Sequence, residues 1–192
     1  MAKLYFRYST MNAGKTLNLL SVVYNYEENG ENPILFTSDR DDRYEKGMVV
    51  SRTGLKRKAL IVDNETNMYD VVSNLNDVTV VLVDESQFLT RNHIFQLADI
   101  VDKLNIPVIC YGLRSSFDLE YFEGSAYLLT ISDTIEEIKT ICSICKKKKA
   151  TVNARLIDGK ITLEGEQIQI GGNETYQPMC RKCFKENINK IS

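Results

Sequence analysis

The chain has 192 residues, 43% hydrophobic and 26% charged, with a formal net charge of -2. That composition is ordinary for a globular protein with a core of useful size, and it excludes a disordered or collagen-like polypeptide. No run approaches the roughly 18 apolar residues of a membrane span, and the opening "MAKLYFRYST" carries no signal-peptide core, so a cytoplasmic protein without membrane association is expected.

"KLYFRYS" (3–9) predicts a first strand, rich in aromatics and free of Gly and Pro. "KTLNLLSVVYNYEENG" (15–30) has the length and apolar spacing of a helix ending at Gly30. "PILFTS" (33–38) predicts a short buried strand, and the charged stretch 39–58 an irregular loop. Tyr69, Val72 and Leu75 recur every three positions and predict a helix over 67–77. "VTVVLVDESQF" (78–88) is an unbroken β-branched run closing on two carboxylates, the pattern of a strand buried on both faces of a parallel sheet. A helix over 91–105, a strand over 106–113 and a fifth strand over 126–132 continue the alternation. The expected fold class is α/β, a mostly parallel sheet covered by helices. Charge then changes sign: residues 142–192 carry ten Lys/Arg against five Asp/Glu. This shift coincides with the first CxxC pair and places a domain boundary near Ile141, giving a catalytic domain over 1–141 and a smaller one over 142–192.

"YSTMNAGKT" (8–16) is one residue short of the Walker A pattern, with Ser9 where the first glycine belongs. Between a strand and a helix, Ser9-Thr10-Met11-Asn12-Ala13-Gly14-Lys15-Thr16 would form a nest of backbone N–H groups at a helix N-terminus, a natural anion site. Lys15 would reach the β- and γ-phosphates, Thr16 would ligate Mg²⁺, and Gly14 would let the backbone approach closely. Ser9 is compatible with this if it stays in ordinary extended backbone, since only positive φ demands glycine. Asp84, at the end of an apolar strand, is a second Mg²⁺ ligand of the Walker B kind, brought beside Thr16 by adjacent parallel strands; Glu85 is a candidate base. Separately, each motif also fits a plain helix boundary or a solvated strand end. In this order they point to phosphoryl transfer from ATP or GTP.

"CSIC" and "CRKC" supply Cys142, Cys145, Cys180 and Cys183, two knuckles suited to one tetrahedral Zn²⁺ with no open position and therefore a structural role. Lys146 to Lys149 would moderate the thiolate charge while forming a solvated turn, and Cys110, inside an apolar strand, reads as core. Between the knuckles, Asp158-Gly159 predicts a hairpin turn and Gly171-Gly172 a bend, so a β-ribbon carrying a long loop could fold over a ligand.

The ordered set "YSTMNAGKT", "DRDDRYEKG", "VDESQF", "CYGLRSSF", the two knuckles and "IQIGGNETYQPMCRKC" resembles the zinc-containing thymidine kinases shared by bacteria, some viruses and the animal cytosol. The resemblance implies a RecA-like P-loop domain with a zinc ribbon bearing a lasso-like loop, and transfer of the ATP γ-phosphate to the 5′-hydroxyl of thymidine. It assigns Glu85 as proton acceptor, ATP to residues 9–16 with Asp84, Glu85, Ser86 and Gln87, and Mg²⁺ to Thr16 and Asp84. Asp41 and Arg43 match the family's lid. Phe88 and Phe117 would wall the base above Leu113, the lasso would include Ile168, Gln169, Ile170, Gly171 and Gly172, and Tyr176 would touch sugar or base. Discrimination against deoxyuridine should be modest, since one methyl group is worth only about 1–3 kcal/mol. The resemblance further implies feedback by dTTP, a homotetramer, and no nucleic-acid partner. The stretch after Cys145 runs one residue longer than the family spacing, which leaves Asn153 as the candidate for closing the 5-methyl pocket. His93 reads as a surface or semi-buried helix residue. The competing class is an ATP-dependent nucleic-acid-binding P-loop protein whose basic zinc ribbon meets phosphate, although no clustered aromatic-basic platform is visible.

Overall fold

The computed structural model describes residues 1–41, 45–166 and 175–188. Six of the strands pair in parallel into one sheet: β1 (Leu4–Ser9), β2 (Pro33–Ser38), β5 (Leu60–Val62), β6 (Val80–Val83), β7 (Val108–Leu113) and β8 (Thr134–Glu137), in the order β5-β2-β6-β7-β1-β8. β6 is buried along its whole length, as an unbroken apolar run requires. Its side chains alternate between the two faces. Val81 and Val83 join Phe6, Phe36 and Cys110 beneath α2 (Met68–Ser73), α3 (Arg91–Leu104) and α4 (Glu123–Ile131), through Met68, Ile94, Leu97 and Leu128. Val80 and Leu82 face the opposite side, where Leu19, Leu20 and Val23 of α1 (Lys15–Glu28) cover them. Each such side chain contributes about 1.5–3 kcal/mol of burial. This two-sided core anchors the strand whose far end carries Asp84 and Glu85.

The helix ends follow their local chemistry. α1 stops because Gly30 turns left-handed (φ 77), so that its N–H donates to Glu27 O (3.0 Å) while Glu31 N–H donates to Tyr26 O (3.0 Å). α3 starts at a capping box: His93 N–H donates to Thr90 Oγ1, and Thr90 N–H donates to His93 Nδ1. His93 is therefore buried, at 3% exposure, rather than lying at the surface, and burial pushes its imidazole below the ordinary value.

Two expectations need correction. Residues 126–132 belong to α4, not to a strand; a short apolar run carries no periodicity that separates the two, and the close seat of Gly124 on the 86–89 turn decides it. The strand on that edge is instead the polar β8, paired with β1. The stretch 39–58 is not wholly irregular, for β3 (Met48–Val50) and β4 (Lys56–Lys58) form an antiparallel hairpin within it. β4 is fully exposed, so its sequence carries no apolar pattern.

Beyond residue 141 a second, three-stranded antiparallel sheet is formed by β9 (Val152–Ile157), β10 (Lys160–Thr162) and β11 (Tyr176–Met179), in the order β10-β9-β11. The β9–β10 turn uses Asp158 (φ 49) and Gly159 (φ 76), the two left-handed positions expected of a tight hairpin. Helix α5 (Arg181–Ile188) closes a small core of Val152, Ala154, Ile161, Met179 and Phe184 around the cysteines. Among the described residues, no helix is long and apolar enough to cross a membrane.

Gly124 has no room for a side chain. An added Cβ would overlap the Ser86 carbonyl oxygen and stand 2.8 Å from that of Leu89. Gly124→Ala is expected to cost about 1–3 kcal/mol and to lower the melting temperature by several degrees; an unchanged melting curve would show that the α4 contact is loose.

Candidate active site

The phosphate-loop candidate leaves β1 at Ser9, which stays extended, so the missing glycine is not needed there. Two later residues turn left-handed: Asn12 (φ 63), of a type that tolerates this region, and Gly14 (φ 77). A Cβ on Gly14 would meet nothing within 4 Å, so its backbone angle, and not close approach to neighbouring atoms, is what demands glycine. Lys15 is buried and folds back on the loop, its Nζ donating to Ser9 Oγ (2.9 Å) and Thr10 O (3.1 Å).

The second acid-bearing element meets this loop. Thr16 Oγ1 donates to Asp84 Oδ2 at 3.3 Å. The strands they follow are not adjacent, as the sequence suggested, because β7 lies between β1 and β6. The loop crosses the end of β7 to make the contact. Thr16 and Asp84 are hard oxygen donors at nearly the spacing, about 2.9 Å, of neighbouring ligands on octahedral Mg²⁺. That donor set fits the ion.

After Asp84 the chain breaks from strand geometry. Glu85 is left-handed (φ 51, ψ 37) and opens a 3₁₀ turn over Ser86–Phe88. Glu85 lines a cleft of about 240 Å³ together with Met11 to Leu17, Val50 to Thr53 and Leu113. Ser86 and Gln87 face the interior instead, at 0% and 1% exposure, with Ser86 Oγ donating to Tyr111 O (2.9 Å). Phe88 packs edge-on against Phe122 at 5.7 Å.

The smaller sheet reaches the same region. Asn153 is buried, and its Oδ1 accepts from Met11 N–H at 2.8 Å. Phe117 is also buried, with the Arg155 guanidinium 3.5 Å above its ring. Arg155 donates to the Tyr176 hydroxyl through Nε (3.1 Å) and Nη2 (2.7 Å), and to Glu166 O (2.8 Å). Asp41 lies just past β2, its N–H donating to Ser38 O. Arg43 and residues 168–172 (Ile168, Gln169, Ile170, Gly171, Gly172) lie outside the described residues.

Sequence reasoning missed Arg155 and the Ser51-Arg52-Thr53 turn. The first could have been suspected as a cation inside an otherwise apolar ribbon; the second, in a charged segment, carried no signal.

The four knuckle sulfurs all lie within 4.8 Å of one another, with Cys145 and Cys180 at 3.9 Å. Thiolates on one tetrahedral Zn²⁺ stand about 3.8 Å apart, so the cluster fits that ion. Burial pushes the Cys142 thiol up, but backbone N–H groups of Cys180, Cys145 and Ile144 outweigh it and bring it down to about 6. Burial and the neighbouring thiols hold Cys183 up at about 12. The sulfurs therefore resist ionising together, and a divalent cation removes that conflict.

The family model described as "Thymidine kinase" matches residues 2–184. The chain belongs to the thymidine kinase family. Three curated relatives carry the name thymidine kinase. That from Lactococcus lactis subsp. lactis is 52% identical over 190 residues, covering 98% of this chain and all of the relative. Those from Listeria monocytogenes (54%) and Lactiplantibacillus plantarum (53%) cover 95% and 94% of this chain, and 96% and 94% of their own lengths. Four sulfurs fill a tetrahedral shell and leave no open position, so this candidate zinc site fits a structural role. Elemental analysis is expected to give one zinc per chain, and Cys180→Ser to abolish it with a fall in melting temperature. A metal-free protein with the same melting curve would remove zinc from the fold.

Proposed function

We propose that the chain transfers the γ-phosphate of ATP to the 5′-hydroxyl of thymidine, yielding dTMP and ADP. The observation that carries this is the shared cleft: the glycine-lysine turn, Thr16 and Glu85 all line one space, and Thr16 is bonded at 3.3 Å to Asp84, the residue just before Glu85 in sequence. The family name and the relatives' names supply the substrate.

In this reading the triphosphate sits on the backbone N–H groups of residues 11–16, at the N-terminus of α1. Lys15 leaves Ser9 and Thr10 and turns to the phosphate oxygens, where its charge offsets what develops on the transferring group. Thr16 and Asp84 would hold Mg²⁺, which supplies charge neutralisation on the phosphates. Glu85 accepts the 5′-hydroxyl proton as the new O–P bond forms and the bond to ADP breaks. In this reading the nucleoside lies toward Leu113, Phe88, Phe117 and Tyr176, and Asn153, whose Oδ1 accepts from Met11 N–H, closes the 5-methyl pocket. Arg43 would meet phosphate as part of the family's lid, with Asp41 in the same segment. The resemblance extends the proposal to dTTP feedback and a homotetramer; the half-exposed Tyr24 and Leu55 are apolar surface suited to a subunit contact.

Arg52 lines the same cleft as residues 11–17. Arg52→Ala is expected to raise KM for ATP about tenfold, the low end for a hydrogen bond to a charged group, with KM for thymidine unchanged. An unaltered KM for ATP would remove Arg52 from the nucleotide site. Glu85→Gln tests the central assignment: ATP binding should persist while thymidine-dependent ADP release falls by about 10²–10⁴. Full turnover by that variant would end the proposal for Glu85, and no thymidine-dependent ADP release by the unaltered protein would end it for the reaction.

A further inference from the structure

Glu85 combines a long, rotatable side chain with a backbone conformation that non-glycine residues adopt only at a cost. A base in that position needs something to hold its carboxylate. We propose that Gln87 is a positioning residue for Glu85, acting from inside the protein rather than by touching nucleotide. This rests on the reading of Glu85 as proton acceptor.

Gln87 Nε2 donates to Glu85 Oε2 at 2.5 Å, and Gln87 Oε1 accepts from Leu113 N–H at 3.0 Å. A carboxylate only accepts and a backbone N–H only donates, so these two partners admit a single orientation of the amide. Both ends are engaged and the residue is 1% exposed, which leaves it no edge for a nucleotide. Leu113 is the last residue of β7 and pairs with Ser9, where the phosphate loop begins. The base is thereby tied, through one amide and one strand pair, to the backbone that would hold the phosphates. The neighbouring sequence protects this link. A Cβ on Gly112 would stand 2.7 Å from Ser86 Oγ and 2.9 Å from Gln87 Oε1, so any side chain there would displace the amide.

The test is a double-mutant cycle on the full chain with ATP and thymidine, combining Gln87→Met with Glu85→Gln, alongside Gln87→Glu. Gln87→Met should lower kcat about 10- to 100-fold and leave the affinity for ATP within about twofold of the original. Loss of a donor to the carboxylate should move the acid limb of the kcat–pH profile to higher pH, and Gln87→Glu, which sets two carboxyl groups side by side, should move it further. In the Glu85→Gln background, Gln87→Met should have almost no further effect, because its role passes through the missing carboxylate. An equal loss in both backgrounds would mark a merely structural residue and overturn the inference, as would a fivefold weaker affinity for ATP or an unmoved acid limb. Gln87→Glu is nearly isosteric and carries the same pH test if the methionine variant does not fold. Loss of activity in Glu85→Gln with full activity in Gln87→Met would sink Gln87 alone; full activity in Glu85→Gln would sink the base assignment and this role with it.

Discussion

The arrangement of the site depends on one short contact, the 3.3 Å hydrogen bond from the Thr16 hydroxyl to the Asp84 carboxylate. It joins elements that sheet topology keeps apart, since β1 and β6 flank β7 and neighbouring strands are spaced by about 4.8 Å. Two features close the gap of roughly 10 Å. β6 is buried on both faces, so the core fixes where its carboxyl end emerges. The loop after β1 turns twice through left-handed backbone, at Asn12 and Gly14, and so crosses the end of β7 within five residues. The carboxyl edge of an open parallel sheet is where such folds bind ligands, and here the core and the loop geometry lead to the same point.

The smaller sheet is coupled to that point by polar groups rather than by apolar surface. Asn153 takes a backbone N–H from the phosphate loop, and Arg155 lies between the Phe117 ring and Tyr176. Among the described residues, the contacts found for Arg155 are uncharged: a ring face, a phenol and the Glu166 carbonyl. A buried cation is costly unless its donors are met and its face is stacked; a planar guanidinium can satisfy both conditions where an ammonium could not. Glu166 and Tyr176 stand on either side of residues 167–174, so one side chain fixes both shoulders of the segment that the sequence marks as the substrate loop.

What was legible in the sequence was whatever chemistry writes into adjacent residues. The glycine-lysine turn, the acid pair closing a β-branched run and the two cysteine knuckles each need particular residues at fixed spacing, and each emerged where its spacing implied. Features decided by distant contacts were not legible. The run over 126–132 could be strand or helix until Gly124 met the 86–89 turn, and β8 and β4 are too polar and exposed to announce themselves. His93 read as a surface or semi-buried residue, and its full burial was not legible because its capping role depends on a side chain curling back on Thr90. The left-handed backbone of Gly14, a second reason for glycine there, was not legible either.

The same division explains why the turn after β6 carries strain. Left-handed backbone at a glutamate costs about 1–2 kcal/mol, and a glycine at that position would relieve it, but glycine has no carboxylate. The proposed proton-acceptor role would fix the residue type while topology fixes the angle. The two demands are reconciled by what surrounds the turn: Ser86 bonded to Tyr111 O, Gln87 seated against Leu113, and two glycines, Gly112 and Gly124, clearing space for it from opposite elements. Hydrogen bonds and packing of this kind, each worth about 1 kcal/mol, suffice to outweigh the strain. They also leave the carboxylate little freedom to wander, which is the condition a proton acceptor beside a bound phosphate has to meet.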